Sequence, residues 1–112
     1  MSDALVQGIT RRIVIAVDHP AFAGHFPGQP ILPGVALVAE VLEVARGEPT
    51  LRALIGAEPR LAVVKFTSPV LPGTAIDIGL RATVSGIEFD VRDGPRLAAT
   101  GRFVRAIERQ PA

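Results

Sequence analysis

His25 is the side chain in this sequence best suited to move a proton near neutral pH, since imidazole is the one group whose ordinary pKa lies there. It stands at the head of the stretch from Gly24 to Glu43, GHFPGQPILPGVALVAEVLE, which also carries the carboxylates Glu40 and Glu43. An imidazole and a carboxylate brought together suit general acid–base chemistry, in which one group removes a proton while the other supplies one. Other chemistries are excluded or unsupported. The chain has no cysteine, so it offers neither a thiolate nucleophile, a zinc–cysteine site nor a disulfide framework. Two histidines among scattered carboxylates fall short of a metal cluster. There is no phosphate-cradling glycine loop, dinucleotide fingerprint or nucleophile elbow.

The residues around His25 read as a device for holding it still. Pro27, Pro30 and Pro33 recur every third position, and each fixes its own φ and restricts the residue before it. Pro33-Gly34 then breaks sharply into an apolar run that reads as a helix. The first amides of that helix, at Gly34 and Val35, lack intrahelical partners and are available to a ligand oxygen. The Pro-x-x-Pro spacing also fits a polyproline ligand, but Ile31, Leu32, Val35 and Leu37 argue for burial. Phe22 and Phe26, two of five aromatic residues in the chain, flank the loop as wedges against a sheet.

Val35, Leu37, Val38, Val41, Leu42, Val44 and Ala45 cover most of the helix circumference, as a buried central helix requires. Ala36, Glu40, Glu43 and Gly47 form the expected polar stripe. Arg46-Gly47-Glu48-Pro49 reads as its stop.

The remaining segments alternate like strands. Ile9 to Val17 is a strand interrupted by Arg11, and Asp18-His19-Pro20 closes it with a turn in which His19 reads as a surface residue. Thr50 to Arg60 is a connection with a short helical turn around Leu51 to Ile55. Leu61 to Thr67, Thr74 to Val84, Ile87 to Arg92 and Leu97 to Ile107 are strands, the last three forming consecutive antiparallel neighbours with a hairpin turn at Asp93-Gly94. Residues Met1 to Gly8 read as a loose lead-in and Glu108 to Ala112 as a frayed tail.

At 112 residues the chain is one domain that buries only about two-thirds of its unfolded surface alone, so a second subunit is expected to cover more. A net charge of +1 gives no default toward nucleic acid or membrane, which need a concentrated basic face. All but one of the 12 basic residues are arginine, Lys65 being the exception. No apolar run approaches membrane-spanning length and no leader is recognisable, so the cytoplasm is the expected compartment.

Two ordered motifs resemble one family. His25-Phe26-Pro27-Gly28, Pro30 and Pro33-Gly34-Val35 resemble the signature loop of the hotdog-fold beta-hydroxyacyl-(acyl carrier protein) dehydratases, and Val64-Lys65-Phe66 with Pro69-Val70-Leu71-Pro72-Gly73 resembles the strand and turn after that family's central helix. The resemblance spans Asp18 to Arg105. It implies an α+β hotdog fold, with one long helix wrapped by a curved antiparallel sheet, a homodimer, and an acyl tunnel at the subunit interface. It also implies a substrate on the phosphopantetheine of an acyl carrier protein, or an acyl-CoA thioester, with no other cofactor. His25 matches the family's catalytic histidine. Counting from Pro33-Gly34, the family's catalytic acid falls on Ala39, while Glu43, where housekeeping members carry glutamine, lies one turn on and about 40° away in azimuth.

The expected function is removal of water from a beta-hydroxyacyl thioester, with His25 as base, Gly34 and Val35 amides polarising the carbonyl, Glu43 or Glu40 as acid, and Phe26 and Phe66 beside the substrate. A non-catalytic acyl-thioester-binding subunit and a hotdog thioesterase are the alternatives.

Overall fold

The computed structural model describes residues 8–20 and 31–106. His25, Phe26, Phe22, residues 1–7 and the tail Glu108 to Ala112 lie outside them.

Five strands and two helices follow in the order β1 (Gly8–Val14), α1 (Gly34–Arg46), α2 (Pro49–Ile55), β2 (Arg60–Phe66), β3 (Ala75–Ala82), β4 (Gly86–Asp93) and β5 (Arg96–Val104). All pairings are antiparallel, in the spatial order β1-β3-β4-β5-β2. The helices therefore carry the chain from one edge of the sheet to the other.

Strand alternation sends one set of side chains to the helix side. Ile76, Ile78 and Leu80 on β3, Ile87, Phe89 and Val91 on β4, and Ala99 and Phe103 on β5 are all buried there. Against them α1 sets Leu37, Val41 and Ala45, four residues apart on one stripe, and α2 sets Leu51 and Ile55. The opposite sheet face is charged. Arg12 grips Asp77 with two hydrogen bonds of 2.9 and 3.0 Å, Arg81 bonds Glu88 and Arg92 bonds Asp90. The hydrogen bond from Arg12 holds the Asp77 carboxyl below its usual range. Exposed pairs of this kind add little to stability but keep the face wetted.

Among the differences between the sequence-based expectations and the structure, four have a local cause in the backbone or an ion pair. The first strand begins at Gly8 and ends at Val14, not Val17, because the chain bends after Ile15, whose N–H and C=O go to Thr74 and Gly73. Arg11 does not break it: its guanidinium reaches across to the Glu48 carboxylate. The hairpin loop is Gly94-Pro95, one residue later than expected, since Asp93 and Arg96 are already paired. Gly94 has φ +60, the conformation that the first position of a two-residue hairpin loop demands. Finally, α1 stops without a left-handed glycine. Gly47 is right-handed (φ −75, ψ −10), and the break comes at Glu48, held extended (φ −107, ψ 111) by Pro49 behind it.

Candidate active-site groove

Pro33 sets the start of α1. Its backbone is extended (φ −59, ψ 146), and its carbonyl accepts from the N–H groups of Ala36 and Leu37 at 3.0 and 3.1 Å. The N–H groups of Gly34 and Val35 have no backbone acceptor among the described residues. They are the orphan donors that every helix start leaves, with the positive end of the helix dipole behind them.

Phe66, at the end of β2, lies directly on Gly34. A β-carbon at Gly34 would sit 2.6 Å from Phe66 Cζ and 2.8 Å from Cε2, so glycine is what lets the ring approach the helix start. Below them the N–H of Leu32 donates to the carbonyl of Val70 at 2.8 Å. This bond stitches the segment before α1 to the connection after β2. Between the two runs an open, apolar groove of about 730 Å³, with Leu32, Pro33, Gly34, Leu37, Phe66 and Val70 in its walls. That volume falls within the range of small-molecule sites, and its lining suits an acyl chain.

The structure thus brings together Gly34 and Phe66 at the groove, with Val35 beside them and 80 % exposed. The two carboxylates part company. Glu43 is exposed, on an outward stripe with Val35, Ala39 and Arg46. Glu40 is half-buried and bonded to His19, Nε2 to Oε2 at 2.9 Å. This corrects the expected polar stripe of Ala36, Glu40, Glu43 and Gly47: Glu43 and Gly47 are exposed, while Ala36 and Glu40 are half-buried. It also corrects the surface reading of His19, whose side chain is 21 % exposed. The stripe turned because Leu37, Val41 and Ala45 set the inward direction; the opposite side then falls on Val35, Ala39 and Glu43 rather than one position later.

Sequence reasoning missed Leu32 and Val70 as walls and the His19–Glu40 pair. Leu32 and Val70 each carried a signal, as an apolar residue beside a proline. The pair carried none. Among the described residues no group of three or more metal-ligating side chains gathers, and no helix is long and apolar enough to cross a membrane.

This arrangement, helices packed on a five-stranded antiparallel sheet, is shared with solved proteins. The dehydratase heterocomplex ApeI:P from Xenorhabdus doucetiae matches with a TM-score of 0.70 at 24 % identity, over 87 % of this chain and 85 % of that one, which establishes the hotdog fold. The 3-hydroxyacyl-[acyl-carrier-protein] dehydratase FabZ of Streptococcus mutans is 33 % identical over 104 residues, spanning 83 % of this chain and 73 % of the relative. Its counterpart from Haemophilus influenzae is 40 % identical over 73 residues, 60 % of this chain and 49 % of that protein. Within this class, residues 4–102 match the ApeI-like family, described as ApeI dehydratase. The chain belongs to that family.

Proposed function

We propose that the chain dehydrates beta-hydroxyacyl thioesters, carried on the phosphopantetheine of an acyl carrier protein, to the enoyl thioester. The observation that carries this reading is the apolar groove lined by Gly34 at the start of α1, where the Gly34 and Val35 amides have no backbone acceptor among the described residues, in a chain of the ApeI-like family. The thioester carbonyl oxygen accepts from the Gly34 and Val35 amides. Each such donor contributes about 3 kcal/mol as charge develops on that oxygen. His25 takes the proton from the carbon next to the carbonyl. The C–O bond to the β-hydroxyl breaks as the carbon–carbon double bond forms, and Glu43 donates the proton that lets the hydroxyl leave as water. Glu43 is favoured over Glu40 because Glu40 is already engaged by His19. Phe26 and Phe66 flank the acyl thioester.

Purified protein incubated with a beta-hydroxyacyl-carrier protein is expected to lose one water, read by mass spectrometry, and to hydrate the enoyl form in reverse. Release of free thiol without loss of water would instead assign a thioesterase. Saturable acyl-carrier binding with no turnover would assign a binding subunit.

We further propose that the site is completed by a second subunit, a copy or a related chain. Glu43 is exposed and is not among the groove walls, and β2 is an edge strand with Leu61, Val63 and Phe66 exposed. A bare apolar edge is a template for pairing with another strand. Val63→Lys is expected to shift the protein from dimer to monomer in sedimentation and to lower activity with it. An unchanged mass would remove β2 from the interface.

A further inference from the structure

We infer that Leu37 is the stop of the groove: it sets how deep an acyl chain reaches, and so which chain lengths the site prefers. The inference rests on the dehydratase reading above.

The groove walls divide by burial. Phe66 is exposed and marks the mouth beside Gly34, whereas Leu32, Leu37 and Val70 are buried and make the floor. That floor is fastened on two sides. Leu32 is tied to Val70 through the backbone, and the segment after β2 is tied to β5, where the Ala98 carbonyl accepts from Thr67 N–H at 2.8 Å and from Ser68 N–H at 3.3 Å. The Thr67 hydroxyl adds a bond to the Leu97 carbonyl at 2.6 Å. With the backbone held in this way, the depth of the groove is a matter of side-chain size.

Leu37 lies nearly one helical turn past Gly34, about 4.5 Å along the axis at 1.5 Å per residue. It therefore stands a few carbons beyond the place where the amides would hold the thioester carbonyl. The next residues on its stripe are Val41 and Ala45, both fully buried and outside the groove walls. Along this stripe the side chains shrink from leucine to valine to alanine, so no bulkier group on the helix takes over the blocking when leucine is cut back. A leucine that only packed the core would, on truncation, cost stability and affect every chain length alike. A leucine that ends the groove changes the ranking of lengths, because each methylene newly buried favours the longer chain about fourfold.

Wild type, Leu37→Val, Leu37→Ala and Leu37→Ala combined with Val41→Leu are compared on straight-chain acyl-CoA thioesters from butyryl to dodecanoyl, which carry the phosphopantetheine arm. Binding is measured by calorimetry, hydration of the matching enoyl thioesters by absorbance, and melting temperature alongside. Leu37→Ala is expected to lengthen the preferred chain by about two to three carbons and to raise the affinity ratio of long to short chains by about 10-fold or more. Leu37→Val is expected to shift the preference the same way by less, and it carries the test if the alanine variant does not fold. Adding Val41→Leu is expected to bring the preferred length back, since it refills the space from the next turn without restoring Leu37.

A preferred length that stays put in both truncations, a loss equal for all lengths, a shift that Val41→Leu does not reverse, or a wild type that binds no acyl chain would each overturn the inference. An unmoved preference in an enzyme that still hydrates would remove the stop and leave the dehydratase reading standing. A wild type that hydrates nothing, yet whose binding preference lengthens in Leu37→Ala, would remove that reading and leave the stop.

Discussion

His25→Ala is expected to lower kcat for dehydration by about 10²–10⁴-fold, the range by which a positioned acid–base group accelerates a reaction. The imidazole interacts with a proton in transit only in the transition state, so KM should move by less than about threefold. Circular dichroism and melting are measured alongside, so that a loss of rate is separated from a loss of the core that β3, β4, β5 and α1 build. Glu43→Gln should lower kcat in the same manner by about 10-fold or more, as an amide cannot supply the departing hydroxyl with a proton. If His25→Ala keeps its rate within threefold, the base has been misassigned and the family resemblance of the loop carries no catalytic meaning here.

Gly34→Val is expected to lower kcat/KM by about 10–100-fold with modest loss of stability. The new β-carbon would arrive 2.6 Å from the Phe66 ring, well inside van der Waals contact. The three nearest atoms among the described residues all belong to the Phe66 ring, the far end of the side chain of a residue 48 % exposed. The ring therefore swings outward instead of the fold collapsing. That movement changes the groove wall, and the valine side chain intrudes where the thioester carbonyl would meet the amides. A double variant tests this directly. Phe66→Ala alone should cost some affinity, and adding it to Gly34→Val should recover part of the lost rate, giving a coupling between the two positions. Strict additivity of the two losses would show that ring and helix start act separately.

Much of the fold was legible in the sequence because strand alternation and helix periodicity report the inward face directly. Ile76, Ile78 and Leu80 alternate with Asp77 and Arg81, and β3 follows. Boundaries were harder. The end of β1 depends on where Thr74 and Gly73 bond to Ile15, and nothing local to Val17 reveals that. The register of the last hairpin turned on which glycine-containing pair forms the loop; Asp-Gly and Gly-Pro overlap in Asp93-Gly94-Pro95, and only strand pairing decides between them. The groove was half legible. Gly34 and Phe66 were each visible as candidates, but their contact joins residues more than thirty positions apart. The direction of the helix stripe was misread by about one residue, enough to turn Glu40 away from Glu43 and to the side of His19. Two glutamates three apart look equivalent in a sequence, yet one faces outward and the other is held by a histidine 21 residues upstream.

The two rims of the sheet are unlike. At β1 the rim presents Thr10, Arg11 and Arg12, with both guanidinium groups tethered to carboxylates; at β2 it presents Leu61, Val63 and Phe66. A sheet with one adhesive and one guarded rim can join only once within its own plane. Were two chains to unite along β2, both outer rims of the joined sheet would be β1, where the tethered guanidinium groups disfavour a further strand.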